Sequence, residues 1–128
     1  MASLRVSAAL LGATGVGLGA YGAHSARFES TKSTENWKTA VTYQLVHAVA
    51  VLSVSAISES TTVYQQKSLL EAAGKCLAVG SAMFSGSIYM LILEIGPKAL
   101  CGLASPLGGL LMMIGWGILG LSGVRKLE

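Results

Sequence analysis

Aspartate is absent from this chain of 128 residues, and its six acidic side chains are all glutamate. That removes most carboxylate-based hydrolytic and metal chemistry at once. Charge of either sign is scarce at 12% of residues, where a soluble domain carries about 25%. Too few charges remain to solvate the surface of a globule. There are only two cysteines, Cys76 at the start of the third apolar run and Cys101 just past its end. If that run crosses a bilayer they lie ~30 Å apart, too far for a disulfide, which needs Cα atoms within ~7 Å. The redox compartment stays open. No Cys/His cluster or Walker-type loop is present, so no metal or other cofactor is expected. The glycine-rich runs 15–22 and 102–109 lack the preceding strand, the lysine and the soluble context of a nucleotide loop, and read as packing surfaces.

What the chain does contain is apolar: 52% hydrophobic residues and a mean hydropathy of +0.63. A spanning helix needs ~20 mostly apolar residues. Four such runs fit, over about 5–23, 38–58, 71–95 and 105–123. With short connections they use nearly the whole length, so residues 1–128 read as one all-α domain, a bundle of four transmembrane helices in lipid. The net charge is +3, but the nine Lys and Arg are scattered singly apart from Arg125-Lys126. They flank the spans, and no basic stripe suggests nucleic acid.

Run by run, the pattern is specific. In the first, Ala8, Gly12, Gly15, Gly19 and Gly22 fall at spacings of four, three, four and three. That lays small residues on one helix face, where another helix can approach closely. Ala20-Tyr21-Gly22 also resembles a signal-peptide cleavage site, but a disposable signal does not need such a seam. His24 to Trp37 reads as a polar connection containing Arg27 and Glu29, with N-caps offered between Ser33 and Asn36. Trp37 and Tyr21 flank it and suit the interfacial belt. In the third run, Gly74, Ala78, Ala82 and Gly86 form a second four-residue repeat of small side chains. Glu71 with Lys75, and Glu94 with Lys98, are four-residue charge pairs at its ends. Gly96-Pro97 breaks it. Ser105-Pro106 then opens the fourth run, with the proline in the first turn and six glycines, Gly108 and Gly109 among them, for close packing. Four spans put both termini on one side. Five basic residues there against four opposite lean only slightly towards an inside location.

The second run is the most polar, and His47 lies near its middle. An ionisable group at that depth must face the bundle or a cavity. Tyr43 and Gln44 lie one turn earlier on a similar face. Three readings stay open: an interhelical polar clasp, a contact for a lipid head group, quinone or partner chain, and a proton relay, which would need a second ionisable group at depth. His24 lies at the loop face, ~15 Å shallower than His47 at the helical rise, so the two cannot share one iron. Ser85, with Ser87 and Tyr89, sits mid-span in the third helix, where serines bond to backbone or to a neighbouring helix.

Four motifs occur in order: Gly19-Ala20-Tyr21-Gly22-Ala23-His24; Trp37, Ala40, Tyr43-Gln44 and His47-Ala48; Phe84-Ser85-Gly86-Ser87 with Tyr89; and Ser105-Pro106, Gly108-Gly109 with Gly115-Trp116. In this order they resemble the transmembrane-protein-256/YgdD family of small membrane proteins, over about residues 5–120. The resemblance implies a four-helix protein of bacterial inner membranes and eukaryotic organelles, without a settled activity. Ser105 stands where the family often has threonine, and the loop from Thr61 to Ser68 looks longer than in compact bacterial members.

The expectation is therefore a non-catalytic accessory subunit or scaffold, surrounded by membrane lipids and packing against itself or a larger membrane complex. The alternative is an oligomeric carrier or channel for a small solute with His47 lining the path. In a eukaryote the expected membrane is mitochondrial, less favourably plastid.

Overall fold

The computed structural model describes residues 1–25 and 30–124. Arg27, Glu29, Arg125 and Lys126 of the sequence reading lie outside the described residues. The described residues form four helices: α1 Ala2–His24, α2 Thr31–Ser60, α3 Tyr64–Ile92 and α4 Lys98–Val124. Each is long and apolar enough to cross a bilayer. The chain is thus an all-α membrane protein, as the composition implies.

Three helix ends differ from the sequence reading. Residues 31–38 are the first turns of α2, not part of a connection. Ser30 supplies the cap, its hydroxyl oxygen accepting from the Ser33 N–H at 3.1 Å, where residues 33–36 were expected to. At 1.5 Å per residue the 30-residue α2 is about 45 Å long, more than the ~30 Å of hydrocarbon, so its polar start projects from the apolar layer. Similarly, α3 begins at Tyr64, which leaves residues 61–63 as the α2–α3 link and removes the long loop expected there.

The third difference is the α3–α4 turn. Ile95 N–H bonds to the Met90 carbonyl at 2.9 Å and Glu94 N–H to Leu91 at 3.3 Å. With Glu94 at φ 57°, this is a Schellman ending in which glutamate holds the left-handed position that glycine usually takes. Gly96 at φ 78° completes the reversal. Helix α4 then starts at Lys98, seven residues before Ser105, so Pro106 lies inside the helix and not in its first turn. Its missing N–H is tolerated in a membrane segment, where neighbouring groups can satisfy the freed carbonyl. Lys98 Nζ lies 3.5 Å from Glu94 Oε1 across this turn. Glu71 and Lys75 form no ion pair, whereas Arg5 pairs with Glu59 and ties the start of α1 to the end of α2.

Consecutive helices pack on one another, and α1 also touches α3. Among the described residues, the α4 backbone approaches α3 alone. One apolar cluster, including Leu4, Val51, Val54, Leu70 and Leu77, fills the terminal side of α1–α3. A second, Trp37, Ala40 and Tyr89, fills the opposite side. Only 11% of the apolar stretch of α1 and 22% of that of α4 are buried, so most of both helices faces lipid.

The α3–α4 contact is between backbones. A Cβ added at Gly108 would lie 2.5 Å from the Phe84 nitrogen and 2.7 Å from the Gly80 oxygen. One at Gly80 would lie 2.8 Å from the Gly108 oxygen and the Met112 nitrogen, and Gly115 rests on Leu77. Absent side chains let the two helices touch, which is how membrane helices gain van der Waals contact without a hydrophobic drive. Gly109 is only in ordinary contact with Phe84.

Candidate functional site

Trp37, Ala40, Gln44 and His47 recur at intervals of three and four, so α2 presents them on one face, and all are buried. Gln44 is the centre of the cluster. Its amide nitrogen donates to the Leu11 carbonyl at 2.9 Å and to the Thr14 hydroxyl at 2.7 Å, both on α1. Its carbonyl oxygen accepts from the Tyr89 hydroxyl of α3 at 2.8 Å. One side chain therefore ties three helices, with both amide hydrogens used. Thr14 passes its own hydrogen to the Leu10 carbonyl at 2.6 Å.

Two bonds flank this centre. Ser85 donates to the Ala40 carbonyl at 2.7 Å, joining α3 to α2. The Trp37 indole donates to the Leu18 carbonyl at 2.8 Å, joining α2 to α1, and its ring packs tilted on Tyr89 at 4.6 Å. Trp37 is 1% exposed. It is an interior clasp residue and not the interfacial anchor that its place in the sequence suggested.

The α1 glycines explain how these bulky groups fit. Gly15 lies against Leu45 and the Gln44 amide carbon, Gly19 against Val41, and Gly22 so close to the indole that a Cβ would sit 2.4 Å from Trp37 Cδ1. Gly12 is in ordinary contact with Ala48. The seam of α1 and the polar face of α2 are thus two halves of one joint. In α3 the expected seam divides. Gly74, against Leu4 and Val54, and Ala78 are inside, but Ala82 is exposed and a Cβ on Gly86 would meet nothing.

His47 extends the cluster towards α4. The Trp116 indole donates to Nε2 at 3.2 Å. An indole can only donate, so Nε2 carries the lone pair and the proton resides on Nδ1, which donates to the Tyr43 carbonyl at 2.7 Å. Both ring nitrogens are engaged in the neutral form. The Tyr43 ring stacks on the imidazole and packs against Phe84, while remaining partly exposed. His24, the last residue of α1, is exposed and is not part of this cluster.

Thr14 and Trp116 complete the site but were not singled out for it from sequence. A hydroxyl next to Gly15 of the small-residue seam was the available signal for Thr14. For Trp116 it was an indole inside an apolar run, since a buried or interfacial N–H needs an acceptor. Ser55, Ser58 and Ser81 are also fully buried, and their hydroxyls find no partner among the described residues. Among the described residues, no three His, Cys, Asp or Glu side chains converge. Cys76 and Cys101 are free thiols. The arrangement fastens helices together and holds its histidine in one tautomer.

Residues 18–109 match the family described as "Protein of unknown function (DUF423)". Among similar proteins, a UPF0382 membrane protein of Schizosaccharomyces pombe is 39% identical over 116 residues, covering 85% of this chain and 91% of the relative. The UPF0382 membrane protein YwdK of Bacillus subtilis is 31% identical, covering 88% of each. The UPF0382 inner membrane protein YgdD of Escherichia coli is 30% identical, covering 94% of this chain and 88% of the relative. No solved structure matches.

Proposed function

This chain belongs to the DUF423 family of membrane proteins, and we propose that it serves as a non-catalytic scaffold or accessory subunit of a larger membrane assembly. Membership bears out the resemblance read from its motifs. The observation that carries the proposal is the state of α4. Gly102, Gly117, Gly120 and Gly123 meet nothing within 4 Å, while Gly108 and Gly115 already supply the contact with α3. Gly102 and Gly120 share one helix face, since 18 residues make about five full turns. Glycine in the middle of a helix costs roughly 0.5–1 kcal/mol relative to alanine. An outward face that carries this cost without using it internally suits close approach by a second membrane helix.

The clasp supports the same reading. Gln44, Tyr89, Ser85 and His47 spend their hydrogen-bonding groups on other helices or on their own backbone. A solute carrier needs such groups free to exchange partners. The inner-membrane relative extends the proposal to a mitochondrial membrane where the host is eukaryotic.

The test is gentle native purification of the full chain, with identification of what travels with it. A stoichiometric membrane partner or a homo-oligomer is expected, and Gly120→Leu should release it while the thermal melt of the chain stays unchanged. A monomer that behaves identically with and without Gly120→Leu overturns the proposal. In parallel, His47→Ala should leave solute flux through proteoliposomes at the level of empty vesicles, as the wild type does. Flux carried by the wild type and lost in His47→Ala would favour the carrier instead.

A further inference from the structure

A cleft of about 310 Å³ opens between the C-terminal half of α1 and the N-terminal half of α2. Gly19 and Gly22 form its α1 wall, and Trp37 and Val41 its α2 wall. Along its rim stand Thr34, Lys38 and Thr42, spaced by four and therefore aligned on one face of α2.

The depth of this stripe follows from the helix. The uncharged stretch of α2 runs from Thr39 to Ser58, and 20 residues at 1.5 Å each cover the ~30 Å of hydrocarbon. Lys38 is then at the hydrocarbon boundary, and its four-carbon side chain extends outward to the phosphates of a bilayer leaflet. Thr42 lies one turn deeper, about 6 Å, just inside the ester carbonyls. The ammonium is exposed and makes no ion pair with Glu35 three residues earlier or with any other described carboxylate. Thr42 is also exposed, and its hydroxyl makes no hydrogen bond to the Lys38 carbonyl or to any other described residue. Threonines in membrane helices ordinarily bond back in this way. Thr34 is different, because its hydroxyl already donates to the Ser30 carbonyl at 3.2 Å.

We propose that this cleft seats one anionic phospholipid, with Lys38 paired to the phosphate, the Thr42 hydroxyl donating to an ester carbonyl, and an acyl chain lying over Gly19 and Val41. An unpaired cation at phosphate depth, a free donor one turn below and an apolar recess beside both match that molecule in charge, order and spacing. A zwitterionic lipid matches less well, since its own cation offsets the attraction to Lys38. The cleft shares the Trp37 ring with the clasp, but Lys38 and Thr42 belong neither to the clasp nor to the outward glycines of α4, so the proposal stands whether or not the chain has a protein partner.

Native mass spectrometry of the full chain in mild detergent tests the proposal, with phosphatidylglycerol and phosphatidylcholine of identical chains supplied at equal concentration. The phosphatidylglycerol adduct should exceed the other about fivefold, the factor that one lysine near an anionic surface provides. Lys38→Gln should abolish that preference, and Thr42→Val should weaken both adducts. Lys32→Gln, an exposed cation outside the cleft, should change neither. Thermal melts should match across the variants, because Lys38, Thr42 and Lys32 are all exposed. Equal adducts for the two lipids overturn the proposal, as does a preference that survives Lys38→Gln or falls equally with Lys32→Gln. Displacement of the lipid by millimolar inorganic phosphate would also overturn it, by assigning the site to a soluble anion.

Discussion

The joint between α1, α2 and α3 and the joint between α3 and α4 solve one problem by opposite means. In the first, the helices are pinned by directed bonds: Gln44 to Leu11, Thr14 and Tyr89, Ser85 to Ala40, and Trp37 to Leu18. In the second, Gly80 and Gly108 bring two backbones into contact with hardly a side chain between them. Lipid supplies no hydrophobic force between helices, so hydrogen bonds and close packing are the two means available. Directed bonds fix register, because a shift by one residue would break several at once. Backbone contact fixes distance, and it tolerates no added atom.

The sharpest way to break the comparison is to fill the second joint. Gly108→Val places its first carbon against the Phe84 nitrogen and the Gly80 oxygen, which are backbone and cannot move aside. We expect a loss of about 3 kcal/mol or more, the upper end of overpacking costs, in reversible unfolding by SDS titration. Gly109→Val, one residue on, meets only Phe84 at 3.9 Å and should cost under about 1 kcal/mol. Equal losses from the two variants would mean that helix propensity, and not the backbone contact, sets the effect.

Next in size is the centre of the first joint. Gln44→Leu keeps the volume but strands the Tyr89 hydroxyl and removes the bonds to the Leu11 carbonyl and the Thr14 hydroxyl. Double-mutant cycles within membranes give about 0.6 kcal/mol per bond, and stranded groups add to that. A loss of about 2 kcal/mol is expected, and adding Tyr89→Phe should recover part of it. If the double variant is worse than the single by the full cost of Tyr89→Phe alone, the two side chains are not coupled and the clasp is not a unit.

How far these joints were legible in sequence depends on helix arithmetic. The four spans were readable because lipid demands long apolar runs, but their ends were not. Residues 31–38 and 64–68 are mostly polar and yet helical, since a helix can continue into water after its apolar stretch ends. The α1 seam was readable because spacings of four, three, four and three stay on one face. The expected α3 seam repeats every fourth residue, and each such step turns the position by about 40°. From Gly74 to Gly86 the drift reaches about 120°, which carries Ala82 and Gly86 off the packed face. Gly80, on the face that α4 uses, belongs to no such repeat. Within the clasp, Tyr43, Gln44 and His47 stood out as polar groups at depth. The identity of their partners did not, because a backbone carbonyl such as Leu11, Leu18 or Ala40 has no signature in sequence.

A smaller effect separates bonded from unbonded hydroxyls. Ser85 and Ser81 lie one turn apart on α3 and are both buried, but only Ser85 has a partner, the Ala40 carbonyl. Ser85→Ala should therefore cost about 1 kcal/mol, and Ser81→Ala should be neutral or slightly stabilising, since it removes an unsatisfied group. Equal losses from the two variants in SDS titration would show instead that Ser81 has a partner, such as a buried water.

The smallest expected change concerns the hydrogen bond from Trp116 that links α4 to the clasp. Trp116→Phe removes the donor to His47 Nε2 and keeps most of the aromatic area. At 3.2 Å the bond is long, and a cost near 0.6 kcal/mol is expected. Stability is not the informative readout here. In the wild type the indole holds the imidazole with its proton on Nδ1, and ¹⁵N spectra of the ring should show one protonated and one lone-pair nitrogen in that order. Without the indole, the Tyr43 carbonyl still favours a proton on Nδ1, but Nε2 is free to bond water or lipid. A changed Nε2 signal beside an unchanged Nδ1 signal would mean that each joint holds its helices independently and that Trp116 only reports their distance. Movement of both signals would mean that α4 sets the position of the α2 face, and the contrast between directed bonds and bare contact would give way to a single coupled core.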